Sequence, residues 1–235
     1  MGPPGVPRVQ LVVFDCDGVL VDSETLACGV EARALTALGY PISGEEVARR
    51  YAGLSDADMR RAVEREIGRA LPGDHEARCA AALEEAFRRE LKPVGGMAAV
   101  VDGVAAAGCG RCVASSSAPE RLRLALTVTG LWEKLAPNVF SAKMVARGKP
   151  APDLFLFAAE RMGVEPAACL VIEDSVPGIQ AARAAGMTAI GFAGSGHCGP
   201  DHAARLRDAG ADEVSPDARS LDALLRGFGV AASAR

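Results

Sequence analysis

The sequence predicts an α/β fold: a doubly wound parallel sheet carrying an inserted helical domain. Three observations predict it. Short apolar runs alternate with segments of helical period. Three of the five runs are followed directly by Asp or Ser. One long stretch between the first two runs contains no strand candidate at all.

The first run, Val9 to Phe14, is apolar on consecutive positions after Gln10, which is how a central parallel strand covered on both faces reads. Similar runs occur at Gly110 to Ala114, Asn138 to Phe140, Cys169 to Ile172 and Met187 to Phe192. The intervening stretch, about Glu24 to Leu91, repeats Leu26, Val30, Ala34 and Leu38, and again Cys79, Leu83 and Phe87, at helical spacing. Gly39, Gly53 and Leu71-Pro72-Gly73-Asp74 break it into several helices. Lys92-Pro93-Val94-Gly95-Gly96 returns the chain to the sheet. The expected division is residues 1–23 and 92–235 for the α/β core domain and 24–91 for the helical domain.

With 235 residues, 49% of them hydrophobic, the chain fills one sizeable core plus a smaller companion. A net charge of -4, from 26 basic and 30 acidic residues, leaves no electrostatic footprint for nucleic acid or an anionic membrane surface. No apolar run approaches the ~18 residues that a membrane span needs. Seven cysteines and a Gly/Pro-rich start without a basic or apolar leader read as reduced thiols in a cytoplasmic protein, monomeric by default.

Chemistry concentrates at the ends of the runs. Asp15-Cys16-Asp17-Gly18 closes the first, placing two carboxylates where open α/β sheets hold their ligands. Like charges buried together need a cation or a proton between them, although Asp also serves as an ordinary turn residue. Ser115-Ser116-Ser117 closes the second run and offers a hydroxyl and successive amides to a phosphate oxygen, or else caps a helix beginning near Pro119. In Gly148-Lys149-Pro150-Ala151-Pro152-Asp153 the two prolines hold the backbone extended and aim Lys149, while Asp153 reads as the N-cap of a helix from Leu154 to Met162. Glu173-Asp174 ends a further run with two acids. One phosphate and one magnesium ion account for all four motifs together.

These motifs, with Gly178-Ile179-Gln180-Ala181-Ala182 and Ala185-Gly186-Met187, resemble the haloacid dehalogenase-like superfamily, in the branch with a helical cap after the first strand. The resemblance runs from about Val9 to Phe192, but over the cap it is one of length and helical character only. It implies Asp15 as the nucleophile that forms an aspartyl-phosphate, and Asp17 as general acid and then base. It also implies Mg2+ held by the Asp15 carboxylate, the Asp17 main-chain carbonyl and Asp174, with Glu173 acting through water. Ser115 and the Ser116 amide are expected to hold the phosphoryl oxygens, and Lys149 to balance charge on Asp15 and the phosphate. The implied partner is a small-molecule phosphate ester, a sugar, polyol or sugar-acid phosphate ahead of a nucleotide, and the cap is expected to open and close over it.

Other reactions of the superfamily fit less well. Asp17 and Glu173-Asp174 argue against a metal-free dehalogenase, and the absence of any Lys between Glu24 and Leu91 argues against a Schiff-base phosphonate hydrolase. A sugar phosphomutase similar to β-phosphoglucomutase is the alternative. Such relatives carry a His where Ala27 stands, an Arg where Asp56 follows Gly53-Leu54-Ser55, and a Lys where Ala118 stands. Arg49, Arg50 and Arg60 are candidate anion contacts in the cap, or partners of Glu45, Glu46 and Glu64. Met144 and Arg147 precede the lysine motif and are candidate substrate contacts or plain loop residues, and His75 is expected to be solvated. His197, Cys198 and His202 read as a loop and a helix start near Asp201 rather than a zinc site.

Overall fold

The computed structural model describes residues 8–51 and 56–230. It separates into two units, Met1–Asp22 with Lys92–Arg235, and Ser23–Leu91. The first opens with β1 (Leu11–Phe14), and the second holds α1 (Ser23–Ala37), α2 (Gly44–Tyr51), α3 (Asp56–Ile67) and α4 (His75–Glu90). The first unit resumes with α5 (Met97–Ala106), β2 (Gly110–Ser115), α6 (Pro119–Val128), α7 (Trp132–Leu135) and β3 (Val139–Ser141). It continues through α8 (Asp153–Met162), β4 (Cys169–Glu173), α9 (Val176–Ala184) and β5 (Thr188–Phe192), and closes with α10 (His202–Asp208), β6 (Glu213–Ser215) and α11 (Ala218–Gly227).

The six strands form one parallel sheet in the order β3-β2-β1-β4-β5-β6. The order reverses direction beside β1, so the carboxyl ends of β1 and β4 flank the switch point where doubly wound sheets bind ligands. Strand alternation explains the unbroken apolar runs. Leu11, Val13, Cys112, Ala114, Cys169 and Val171 pack with Leu154, Phe155, Ile179 and Ala182 of α8 and α9. The intervening Val12, Phe14, Val113, Leu170 and Ile172 point the other way and are also buried.

Five strands are expected from the sequence and six are present among the described residues. The extra one, β6, is a three-residue edge strand, Glu213-Val214-Ser215, with no apolar run to announce it. Asp153 opens α8 as its first residue instead of capping it. Pro152 is the N-cap, with helical backbone angles (φ -74°, ψ -9°) rather than extended ones. The Asp153 carboxylate pairs with Arg147 at 2.9 Å, which gives that arginine a structural partner.

In the helical unit Ala32, Leu35, Ile42, Val47, Tyr51 and Val63 form a core of their own. His75 starts α4 but is buried, not solvated, because its Nε2 lies 2.7 Å from Glu31 Oε1. Arg60 pairs with Glu64 one turn away, as its spacing suggests, whereas Arg50 pairs with Glu66 and Tyr40 rather than Glu45 or Glu46. The Gly53-Leu54-Ser55 turn lies outside the described residues. Among the described residues no helix is long and apolar enough to cross a membrane. Leu170 sits fully buried in β4, between β1 and β5. Leu170→Ala is expected to lower unfolding stability by about 2–5 kcal/mol, measured by urea denaturation of the whole chain.

Candidate active site

Asp15 follows β1, Glu173 ends β4 and Asp174 follows it, so adjacent strands deliver three carboxylates to one edge of the sheet. All three are buried, and one oxygen from each lies within 4.8 Å of the others. Lys149 reaches the same place from the loop before α8. Its Nζ lies 2.6 Å from Asp15 Oδ1 and 2.7 Å from Glu173 Oε2, and the side chain is only 5% exposed. The Phe155 ring, with its centroid 5.1 Å from that ammonium, backs it.

Burial and the neighbouring Glu173 charge push the Asp15 carboxyl well above the usual carboxylate range, with Lys149 only partly offsetting them. Burial likewise raises Glu173. Burial opposes the charge on Lys149, but Asp15 and Glu173 together outweigh it and raise its pKa. Three buried carboxylates around one ammonium leave an excess of negative charge. An all-oxygen donor set with that excess fits a hard divalent cation, and Asp15, Asp174 and Glu173 are the carboxylates available to it.

Local sequence explains how this charge is held. Ser175 is the N-cap of α9, accepting the Gly178 N–H at 3.1 Å, and its own hydroxyl donates to Glu173 Oε1 at 2.6 Å. The acids therefore do not cap the helix; the serine does. A Cβ on Gly178 would lie 2.0 Å from Glu173 Cδ, so only glycine leaves room for that side chain. At the other end, Gly18 turns the chain back with φ +78°, and a Cβ there would stand 1.9 Å from Asp174 Oδ2. The Gly18 carbonyl accepts the Ser195 hydroxyl, which fixes the turn against the loop after β5.

Ser115 ends β2 and is buried, its Oγ accepting the Ser117 N–H at 3.1 Å, while Ser116 is exposed. The serines do not cap α6, whose N-cap is Ala118. Instead Ser117 Oγ donates to Asp17 Oδ2 at 2.6 Å, and Arg121 Nη2 lies 3.5 Å from Asp17 Oδ1. Ser141 at the end of β3 donates to the Ser117 carbonyl at 2.6 Å. Asp17 is thus oriented by the β2–α6 turn, apart from the Asp15, Glu173 and Asp174 cluster.

A family model for haloacid dehalogenase-like hydrolases matches residues 9–186, which spans β1 to the end of α9. The chain belongs to the haloacid dehalogenase-like hydrolases. This hydrolase is 29% identical over 196 residues to the 6-phosphogluconate phosphatase of Escherichia coli K12, covering 82% of this chain and 86% of that protein. In structure it is similar to a conserved haloacid dehalogenase-like protein from Agrobacterium tumefaciens C58, with a TM-score of 0.86, 41% identity and coverage of 94% and 99% of the two chains. A hydrolase of the same family from Deinococcus radiodurans R1, solved with bound phosphate and sodium, gives a TM-score of 0.85 at 33% identity, covering 95% and 98%.

Sequence reasoning misses two side-chain groups in the hydrolase. Ser117 is read only as part of the Ser115-Ser116-Ser117 run and Arg121 lies beyond it, and the place of Arg121 two residues after Pro119 in α6 is the available signal. His197, whose Nε2 lies 3.2 Å from Asp174 Oδ2, comes from a loop with no local motif linking it to β4.

Replacing the ammonium tests the electrostatics directly. In chelator, Lys149→Met is expected to cost about 3–5 kcal/mol at neutral pH, the penalty of leaving buried carboxylates unpaired. Asp15 and Glu173 titrate above their ordinary values in the native state, so the native state binds more protons than the unfolded chain. Stability of the variant should therefore fall as pH rises from about 4, and recover on acidification, in urea titrations at several pH values.

Proposed function

We propose that this hydrolase is a Mg2+-dependent phosphatase of small-molecule phosphate monoesters, acting through an aspartyl-phosphate on Asp15. The observation that carries this reading is the buried ammonium of Lys149 shared by Asp15 and Glu173, with Asp174 beside them. The likeness to a 6-phosphogluconate phosphatase, and the phosphate found in the Deinococcus relative, support a phosphoryl substrate, with sugar, polyol or sugar-acid esters first.

Asp15 attacks phosphorus through a carboxylate oxygen while Lys149 holds the other charge in the site. The bond to the leaving oxygen breaks, and that oxygen takes the proton of Asp17. Ser115 and the Ser116 amide hold the phosphoryl oxygens. Water, giving its proton back to Asp17, then attacks the phosphoryl group and restores the Asp15 carboxylate. Asp15, Asp174 and the Asp17 carbonyl would hold Mg2+, with Glu173 acting through water, and the ion would supply a positive field that lets two anions approach. Substrate choice is assigned to the helical unit, where Arg49 is exposed while Arg50 and Arg60 are engaged by Glu66 and Glu64.

Free phosphate released from a panel of esters is the test. Release should require Mg2+ and vanish in Asp15→Asn, and Asp17→Asn should slow it by on the order of 10²- to 10⁴-fold. Interconversion of hexose 1- and 6-phosphates without net phosphate release would contradict hydrolysis and favour a mutase. Magnesium at roughly 100 times its dissociation constant should add about 2.7 kcal/mol of stability, and Asp174→Asn should remove that gain.

A further inference from the structure

His197 and Cys198 lie on the loop between β5 and α10, and His202 opens α10, all outside the proposed phosphate chemistry. The sequence reading treats them as loop and helix start, yet the fold brings one donor atom from each within 4.8 Å of the other two. Cys198 Sγ is 3.8 Å from His197 Nε2. The two imidazole rings meet edge to face, with centroids 5.6 Å apart and planes at 84°, rather than stacking.

Two features set this group apart from a chance surface cluster. His202 Nε2 is 2.7 Å from the Asp174 carbonyl, which only accepts, so Nε2 carries the proton and Nδ1 keeps the lone pair. That is the outer-shell bond by which metal-bound histidines are usually oriented. His197 Nε2 leans on Asp174 Oδ2 at 3.2 Å, while its Nδ1 is buried without a hydrogen-bond partner among the described residues. A buried nitrogen left without a partner is unfavourable, and a bound ligand would satisfy it.

We propose that this turn is a binding site for a thiophilic divalent cation of the zinc class, ligated by Cys198, His202 and one nitrogen of His197. Two imidazoles and a thiolate suit Zn2+ or Co2+ and do not suit Mg2+, which takes oxygen. Three protein ligands leave a fourth position for water. Because both histidines rest on Asp174, the soft-metal turn and the carboxylate cluster share an oriented residue while differing in donor chemistry. A second trio, Glu31, His75 and Cys79 in the helical unit, is the rival location. There His75 Nε2 is already taken up by the Glu31 carboxylate at 2.7 Å.

The test is a Co2+ titration of the whole chain, stripped of metal and held in excess Mg2+, followed by thiolate-to-cobalt charge-transfer absorption. One cobalt per chain, displaced by one Zn2+, is expected, with the band lost in Cys198→Ser and kept in Cys79→Ser. His202→Gln, which keeps a polar side chain at the helix start, should weaken binding by at least the roughly 10-fold that even an outer-shell change costs. Circular dichroism confirms that each variant is folded. No charge-transfer band, a band that survives Cys198→Ser, or one that vanishes in Cys79→Ser would overturn the site.

Discussion

One ammonium among three carboxylates governs this molecule. Lys149 is almost fully buried and contacts Asp15 and Glu173 at 2.6 and 2.7 Å, so neither acid is left alone in a low-dielectric environment. The strands exist to place the two acids side by side: β1 and β4 pair in register, Phe14 opposite Ile172, and Asp15 and Glu173 follow directly. The apolar sheet beneath them keeps the site dry on one side, which strengthens every charge interaction within it.

Much of the local sequence serves that charge cluster rather than the helices and turns it belongs to. Ser175 both caps α9 and ties down Glu173, and Gly178 leaves the space that Glu173 fills. Gly18 allows the chain to pass close to Asp174, and Ser195 holds that turn in place. The Asp17 carboxylate is handled by a separate set, Ser117 on the β2–α6 turn, braced by Ser141, and Arg121 of α6. Two carboxylates two residues apart in sequence thus meet different surroundings, as the distinct roles proposed for them require.

The sheet was legible because its strands are buried on both faces and therefore read as unbroken apolar runs. The edge strand β6 was not, since Glu213 is exposed and only Ser215 is buried, leaving no run to detect. The residues gathered at the charge cluster were legible because each sits at the end of a readable strand or in a proline-bounded loop. Contacts made across distant segments were illegible. From sequence His75 reads as a polar helix start, while in the fold Glu31, 44 residues away, lies beside it. Asp153 reads as a cap from the sequence, because the pairing of its carboxylate with Arg147 depends on the fold of the intervening loop. His197, Cys198 and His202 have no recognisable spacing, and the resting of both histidines on Asp174 exists only in three dimensions.

The central claim is that Asp15, held by Lys149, becomes phosphorylated during turnover. Rapid acid quench of the enzyme with Mg2+ and a good ester, followed by peptide mass spectrometry, tests it most directly. The account predicts a transient phosphoryl group on the peptide containing Asp15, absent in Asp15→Asn. Phosphate release with no phosphorylated peptide at any quench time, or with the label on another residue, would contradict it.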